Sequence, residues 1–223
     1  KVGKRIGYHA KRLGVHINFA PVVDINSNPD NPIINNRSFG ENPQAVAKKS
    51  IAYMQGMQDN NILACAKHFP GHGDTDSDSH KTLPRLNHSL DRLNKIDLVP
   101  FKKLINNGLG SVMVAHLNIP VLDSTKNISS SLSYNVVTKL LKNDLNFKGL
   151  AITDALNMKG VTNYYKPGVV DVKALLAGND ILLFSEDVPK AIDEIKKAII
   201  SNKISQKEID ERCRKVLLAK KWL

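Results

Sequence analysis

Residues 62–69 read ILACAKHF, five apolar residues that end in Lys67 and His68 before the final Phe69. A strand exposed on one face alternates apolar with polar residues, whereas a near-continuous apolar run is what a strand covered on both faces requires. The same construction recurs in INFAPVVDI (17–25), SVMVAHLNI (111–119), GLAITDAL (149–156) and DILLFS (180–185), which predicts five strands. Segments of helical period lie near 44–59, 90–107, 134–146, 169–177, 188–201 and 205–221. Strand, helix and strand repeated in this way predict a parallel sheet. Four of the five runs carry chemically capable residues at their C-terminal ends: Asp24, Lys67 with His68, His116, and Asp154. A barrel gathers such residues at one mouth, while an open sheet spreads them along an edge. The expected fold is therefore α/β, a (β/α)8 TIM-type barrel. Five visible strands fall short of the eight a barrel needs, and Val2, Ile6 and Leu13 lie on one helical stripe already running at residue 1. The expectation is a barrel lacking its first three strands.

The 223 residues are 42% hydrophobic, enough for a sizeable core. No run of eighteen apolar residues appears, and the opening KVGKRIGYHAKRLG has no signal-peptide pattern. Two cysteines, Cys65 and Cys213, are too few for a disulfide framework, and Cys65 in its apolar run reads as a buried thiol. A net charge of +11 raises the question of an anionic partner. The lysines are spread along helical segments and aromatics are only 5%, so the expectation is a solvated basic surface and no nucleic-acid partner.

From Lys67 to His80 the chain reads KHFPGHGDTDSDSH. Asp74, Asp76 and Asp78 open like a calcium loop, but Ser79 and Arg85 stand where that motif needs Gly and Glu. His68 and His72 are four apart, yet Pro70 and Gly71 between them forbid the shared helical face of a zinc site. Asp76 occupies the third glycine position of a dinucleotide fingerprint, and no Walker lysine exists. Neither a metal nor a cofactor is expected. In an extended Asp78-Ser79-His80 the first and third side chains point the same way, so Asp78 can hold one ring nitrogen of His80 while the other faces a substrate. A solvated polar loop is the plainer alternative. Asp154, closing an apolar strand, needs partners or a task, because a buried unpaired carboxylate costs several kcal/mol. It reads as a carboxylate nucleophile or as a helix cap.

These residues resemble a known family. KHFPGHGDTDSDSH, continued by KTLPRLNHSLDRLNKIDLVPFKKLI, is similar to the signature of glycoside hydrolase family 3, in its bacterial β-N-acetylglucosaminidase branch. INFAPVVDIN with NNRSFGENP, VMVAHLNIP, and GLAITDALNMKGV with ALLAGNDILL agree in order and spacing. The resemblance implies that residues 1–223 are the C-terminal part of one catalytic barrel domain that removes terminal β-linked N-acetylglucosamine with retention, from a small carbohydrate or muropeptide. It implies Asp154 as nucleophile, His80 as acid/base, Asp78 as the group orienting that histidine, and Arg37, Lys67 and His68 as residues that bind the terminal sugar. His72, Asp74 and His116 fall in matching motifs without an implied role. It further implies peptidoglycan recycling in the cytoplasm, with an upstream segment or a swapped neighbour completing the barrel. Phosphate could replace water as acceptor, since a histidine acid/base does not repel an anion, so a phosphorylase or another sugar preference stays open. So do a non-catalytic carbohydrate-binding remnant and, more remotely, an anion-binding protein.

Overall fold

The computed structural model describes residues 1–76 and 82–222. Four strands, β1 (Ile17–Asn18), β2 (Leu63–Phe69), β3 (Ser111–Val114) and β4 (Leu150–Thr153), form a parallel sheet in chain order β1-β2-β3-β4. Sequential order with every connection crossing in the same sense is the wall of a barrel, not the reversed order of a doubly wound sheet. The chain around Ile181 continues the wall as a parallel bridge to Ile152.

Helices flank the sheet. They are α1 (Val2–Arg12), α2 (Pro43–Gln58), α3 (Leu90–Arg92), α4 (Leu98–Ile105), α5 (Lys159–Thr162), α6 (Val169–Ala177), α7 (Val188–Ile200) and α8 (Gln206–Trp222). Two segments wind more widely, with hydrogen bonds five residues apart: Leu93–Asp97, between α3 and α4, and Asn135–Asp144. The first precedes Pro100, which has no N–H to offer the Ile96 carbonyl, so the regular ladder is interrupted there. Local chemistry sets several starts. Asn42 accepts from the N–H groups of Gln44 and Ala45 at the head of α2, with Pro43 as its first helical residue. Asp187 caps α7 in the same manner. No helix among the described residues is long and apolar enough to cross a membrane.

Alternation along the strands sorts the core into two sides. Ala64, Ala66, Val112, Val114 and Ala151 face the helices, against Met54, Met57, Phe101 and Leu141. Leu63, Cys65, Met113, Leu150 and Ile152 face the other way and pack with Ile181, Leu183 and, from α8, Val216 and Ala219. Burial pushes the Cys65 thiol up to about 12, which fits an inert core residue. The strands are shorter than the apolar runs suggest. Pro21 cannot donate to a ladder and stops β1, leaving only a bridge between Val22 and Lys67, and residues 180–185 contribute a single bridge. Asp180 nevertheless fixes that segment. Its buried carboxylate accepts from the Ala151 N–H at 2.8 Å, from Lys142 at 2.9 Å and from Lys215 at 2.7 Å.

At the start of the chain, α1 lies directly on α2 through glycines. A Cβ on Gly3 would stand 2.2 Å from the Tyr53 carbonyl oxygen, and one on Gly56 would stand 2.4 Å from the Lys4 nitrogen. In an open helix Gly→Ala stabilises by about 1 kcal/mol. Here the added methyl must separate two backbones, so Gly56→Ala is expected to destabilise by roughly 1–3 kcal/mol, the usual cost of overpacking. A denaturant melt checks this; a gain in stability would mean the helices do not pack at this distance.

Candidate active site

The residues at the strand ends meet at one mouth. Asp24 follows the Val22 bridge, Lys67 and His68 sit in the last turn of β2, His116 follows β3, and Asp154 follows β4 with its N–H on the Val114 carbonyl at 2.9 Å. Arg37 enters from a short 3-10 turn, Asn35–Arg37. A cavity of about 290 Å³ is lined by Arg37, Lys67, His68, Asp154, Phe19 and Phe184, among others. Arg37, Lys67, His68 and Asp154 are thus brought together. Asp78 and His80 lie outside the described residues.

Asp24 is the hub. It is fully buried, and its carboxylate accepts the His68 N–H at 3.1 Å on both oxygens, His68 Nδ1 at 2.7 Å, and the His72 N–H at 2.7 Å. Burial alone would favour the protonated acid, but the charges and hydrogen bonds of His68 and His72 outweigh it and hold the Asp24 carboxyl below its ordinary value. Since an ionised carboxylate only accepts, Nδ1 of His68 donates to it. Nε2 stands 3.4 Å from Arg37 Nη2. The peptide bonds Lys67–His68 and Phe69–Pro70 are cis. Asp24 is visible in the sequence as a strand-end carboxylate but carries no mark of this role, and Asn31 was not singled out at all. Asn31 is buried. Its side chain donates to the His72 carbonyl at 2.9 Å and accepts from the N–H groups of Ile33 and Ile34, tying the segment before Arg37 to the one after His68.

Asp154 is placed differently. Its Oδ1 accepts only the Ala155 N–H, at 2.9 Å, and Oδ2 has no hydrogen-bond partner among the described residues. Burial works to raise its pKa, yet His68, His116, the Ala155 N–H and Lys67 together hold it below the ordinary carboxylate value. It stays ionised while remaining available. On the other side, burial and the nearby Arg37 lower the pKa of Lys67. His116 is fully buried, with Nδ1 2.7 Å from Ser131 Oγ and Nε2 donating to the Ala155 carbonyl at 2.9 Å, so it steadies the residue next to Asp154. His72 pairs its Nδ1 with Thr75 Oγ1 at 2.8 Å. Among the described residues no group of three or more His, Cys, Asp or Glu comes together as a metal site.

Beneath the mouth lies Asp97, buried against Gly71, where a Cβ would come within 2.9 Å of the Asp97 Cβ. Burial pushes this carboxyl from 3.8 to about 7, with Asp74 and Asp24 adding to the rise and Arg92 opposing it. The native state therefore binds the proton more tightly than the unfolded chain. The stability this gives is complete below pH 3.8 and is lost as pH rises through about 7. Asp97→Asn keeps the shape and removes the charge. Its melting temperature is expected to gain on that of the wild type progressively up to about pH 7 and by a constant several degrees above it. A difference independent of pH would show that Asp97 is ionised throughout.

The sequence profile of the glycosyl hydrolase family 3 N terminal domain matches residues 1–219. A curated beta-hexosaminidase A from Pseudoalteromonas piscicida is 38% identical over 228 residues, covering 94% of this chain and 38% of its own length. The structure of a family 3 beta-N-acetylglucosaminidase from Paenibacillus sp. superposes with a TM-score of 0.95 at 38% identity, over 99% of this chain and 42% of that one. A beta-glucoside phosphorylase, BglX, superposes at 0.94 with 25% identity, over 99% of this chain and 41% of its own. The chain thus spans less than half the length of each of these relatives. Its α/β fold is a part of their TIM-type barrel, and the chain belongs to glycosyl hydrolase family 3.

Proposed function

We propose that the polypeptide is a retaining glycoside hydrolase that removes terminal β-linked N-acetylglucosamine, peptidoglycan fragments being the expected source. The observation that carries this reading is Asp154: an ionised carboxylate at the barrel mouth, held below its ordinary pKa, with one oxygen free of hydrogen bonds among the described residues. The names of the relatives supply the sugar. Asp154 attacks the anomeric carbon, forming a C–O bond as the glycosidic C–O bond breaks, and His80, positioned by Asp78, gives its proton to the leaving oxygen. Neutral His80 then takes a proton from water, which attacks the same carbon and frees Asp154. Arg37, Lys67 and His68 hold the hydroxyls of the terminal sugar.

The same reading places residues 1–223 in one catalytic barrel domain that further strands complete. Among the described residues β1 is paired on one side only, by β2, and Ile181 only by Ile152. Two open edges favour pairing with more chain, supplied upstream in the same polypeptide or by a swapped neighbour. Recycling of wall fragments in the cytoplasm is the setting that accords with this substrate.

A phosphorylase is the second reading, favoured by the likeness to BglX and by the cations Arg37 and Lys67 beside the cavity, which would accept an anion. One experiment separates the two. Release of nitrophenol from 4-nitrophenyl β-N-acetylglucosaminide is followed with and without phosphate, for the wild type and Asp154→Asn. Turnover to free sugar that falls at least about 1,000-fold on the substitution supports the hydrolase, given the size of losses on removing a covalent nucleophile. A sugar 1-phosphate as product supports the phosphorylase. A substrate-binding protein without turnover would be the carbohydrate-binding remnant.

A further inference from the structure

Two phenylalanines line the mouth cavity, and they are held differently. Phe19 is partly buried and packs with the cluster of Cys65 and Met113. Phe184 is 68% exposed and joins none of the apolar clusters among the described residues. One exposed apolar side chain needs no explanation by itself, but this one is also fixed in place. Its backbone is left-handed, with φ at +51°, a region that a bulky residue occupies only where its surroundings impose it. The neighbours on both sides do so. The Leu183 N–H donates to Thr153 Oγ1 at 2.9 Å, and the Leu183 carbonyl accepts the Leu156 N–H at 2.9 Å. On the other side Ser185 Oγ donates to the Asp171 carboxylate, which is fully buried and accepts the Gly168 N–H at 3.0 Å on its second oxygen. An exposed aromatic ring is thus anchored at the cavity through the backbone before it and the side chain after it.

We propose that Phe184 is a specificity-determining residue for the leaving group, its ring serving as a platform on which the face of a β-linked pyranose stacks. This rests on the glycosidase reading given above. The wall sets the order of depth. Ile181 is bridged to Ile152, and Phe184 and Asp154 both leave the wall at the same end, just past that bridge. Of the two, Asp154 is largely covered and Phe184 is exposed. An enzyme that removes a terminal sugar admits that sugar first, so the leaving group trails outward past the rim. Phe184 stands at that rim. A β-linked sugar of the glucose type carries its hydroxyls around the edge of the ring and its C–H bonds on the faces, which suits the electron-rich face of an aromatic side chain. The polar residues Arg37, Lys67 and His68 address hydroxyls, while Phe184 offers the apolar surface that a second ring requires.

The test uses the full-length polypeptide with two substrates. N,N′-Diacetylchitobiose has a sugar as its leaving group, whereas methyl β-N-acetylglucosaminide has one with no face to stack on. In Phe184→Ala the ratio of kcat/KM for the first to that for the second is expected to fall about 3- to 10-fold, the size of an aromatic stacking contact. Phe184→Trp should keep the ratio, and Phe184→Leu, which retains apolar bulk without a ring, should lose nearly as much as alanine. Calorimetry in an Asp154→Asn background gives a readout free of turnover: Phe184→Ala should weaken binding of the disaccharide by a similar factor relative to that of N-acetylglucosamine. Equal losses on both substrates, or unchanged ratios, overturn the platform. A wild type that turns over neither substrate overturns the glycosidase reading instead, and the ratio of disaccharide to monosaccharide affinity then still decides the role of Phe184. Failure to bind either sugar overturns both.

Discussion

A carboxylate removed from water loses several kcal/mol of solvation unless its lone pairs are filled, and Asp24 is removed from water completely. Everything around the mouth is arranged by that requirement. To satisfy it, the chain after β2 turns so that the His68 N–H, the His68 ring and the His72 N–H all aim at one carboxylate. The turn fixes the direction of Lys67, the orientation of the His68 ring and the departure of the Gly71–Thr75 segment. Asn31 repeats the device from the other side, with its donors on the His72 carbonyl and Thr75 and its acceptor on Ile33 and Ile34. Arg37 therefore reaches His68 from a segment that is itself bound to the chain following His68.

The barrel wall was legible because a parallel strand buried on both faces can hardly be written except as an apolar run, and because the polar residues had to stand at its end. Lys67, His68 and Asp154 could thus be picked out before any coordinates. Strand length was less legible. Pro21 lies inside an apolar run yet cannot donate to a ladder, so β1 ends early, and DILLFS at 180–185 forms a single bridge, with the Asp180 carboxylate adding to the backbone hydrogen bonds that join it to Ala151, Thr153 and Leu156. The widened helical turns at Leu93–Asp97 and Asn135–Asp144 leave the apolar period intact, since Val136, Val137, Leu140 and Leu141 are still buried. Periodicity cannot distinguish them from ordinary helix.

Roles made by contact between distant segments were not legible at all. Asp24 meets its partners 44 and 48 residues away, and Arg92 meets Asp74 at 18. An arginine in a helical segment looks like any solvated cation until the fold shows which carboxylate it faces. Asp97 was hidden for the converse reason. It sits among helix-forming residues as an ordinary charged side chain would, and only the glycine at 71 lets the backbone close over it.

The contrast between Asp24 and Asp154 explains which carboxylate is available for chemistry. Both are held ionised against burial by positive neighbours, and His68 acts on both. Asp24 has its oxygens filled by direct donors, so attack by it would first require breaking a buried network whose loss would leave a charge uncompensated. Asp154 is held by field more than by contact: one N–H, with His68, His116 and Lys67 lowering its pKa from around it. A carboxylate stabilised at a distance keeps a lone pair to offer. Placing the fully bonded acid deep and the sparsely bonded one at the rim lets a single histidine serve as structural ligand to the first and electrostatic support to the second.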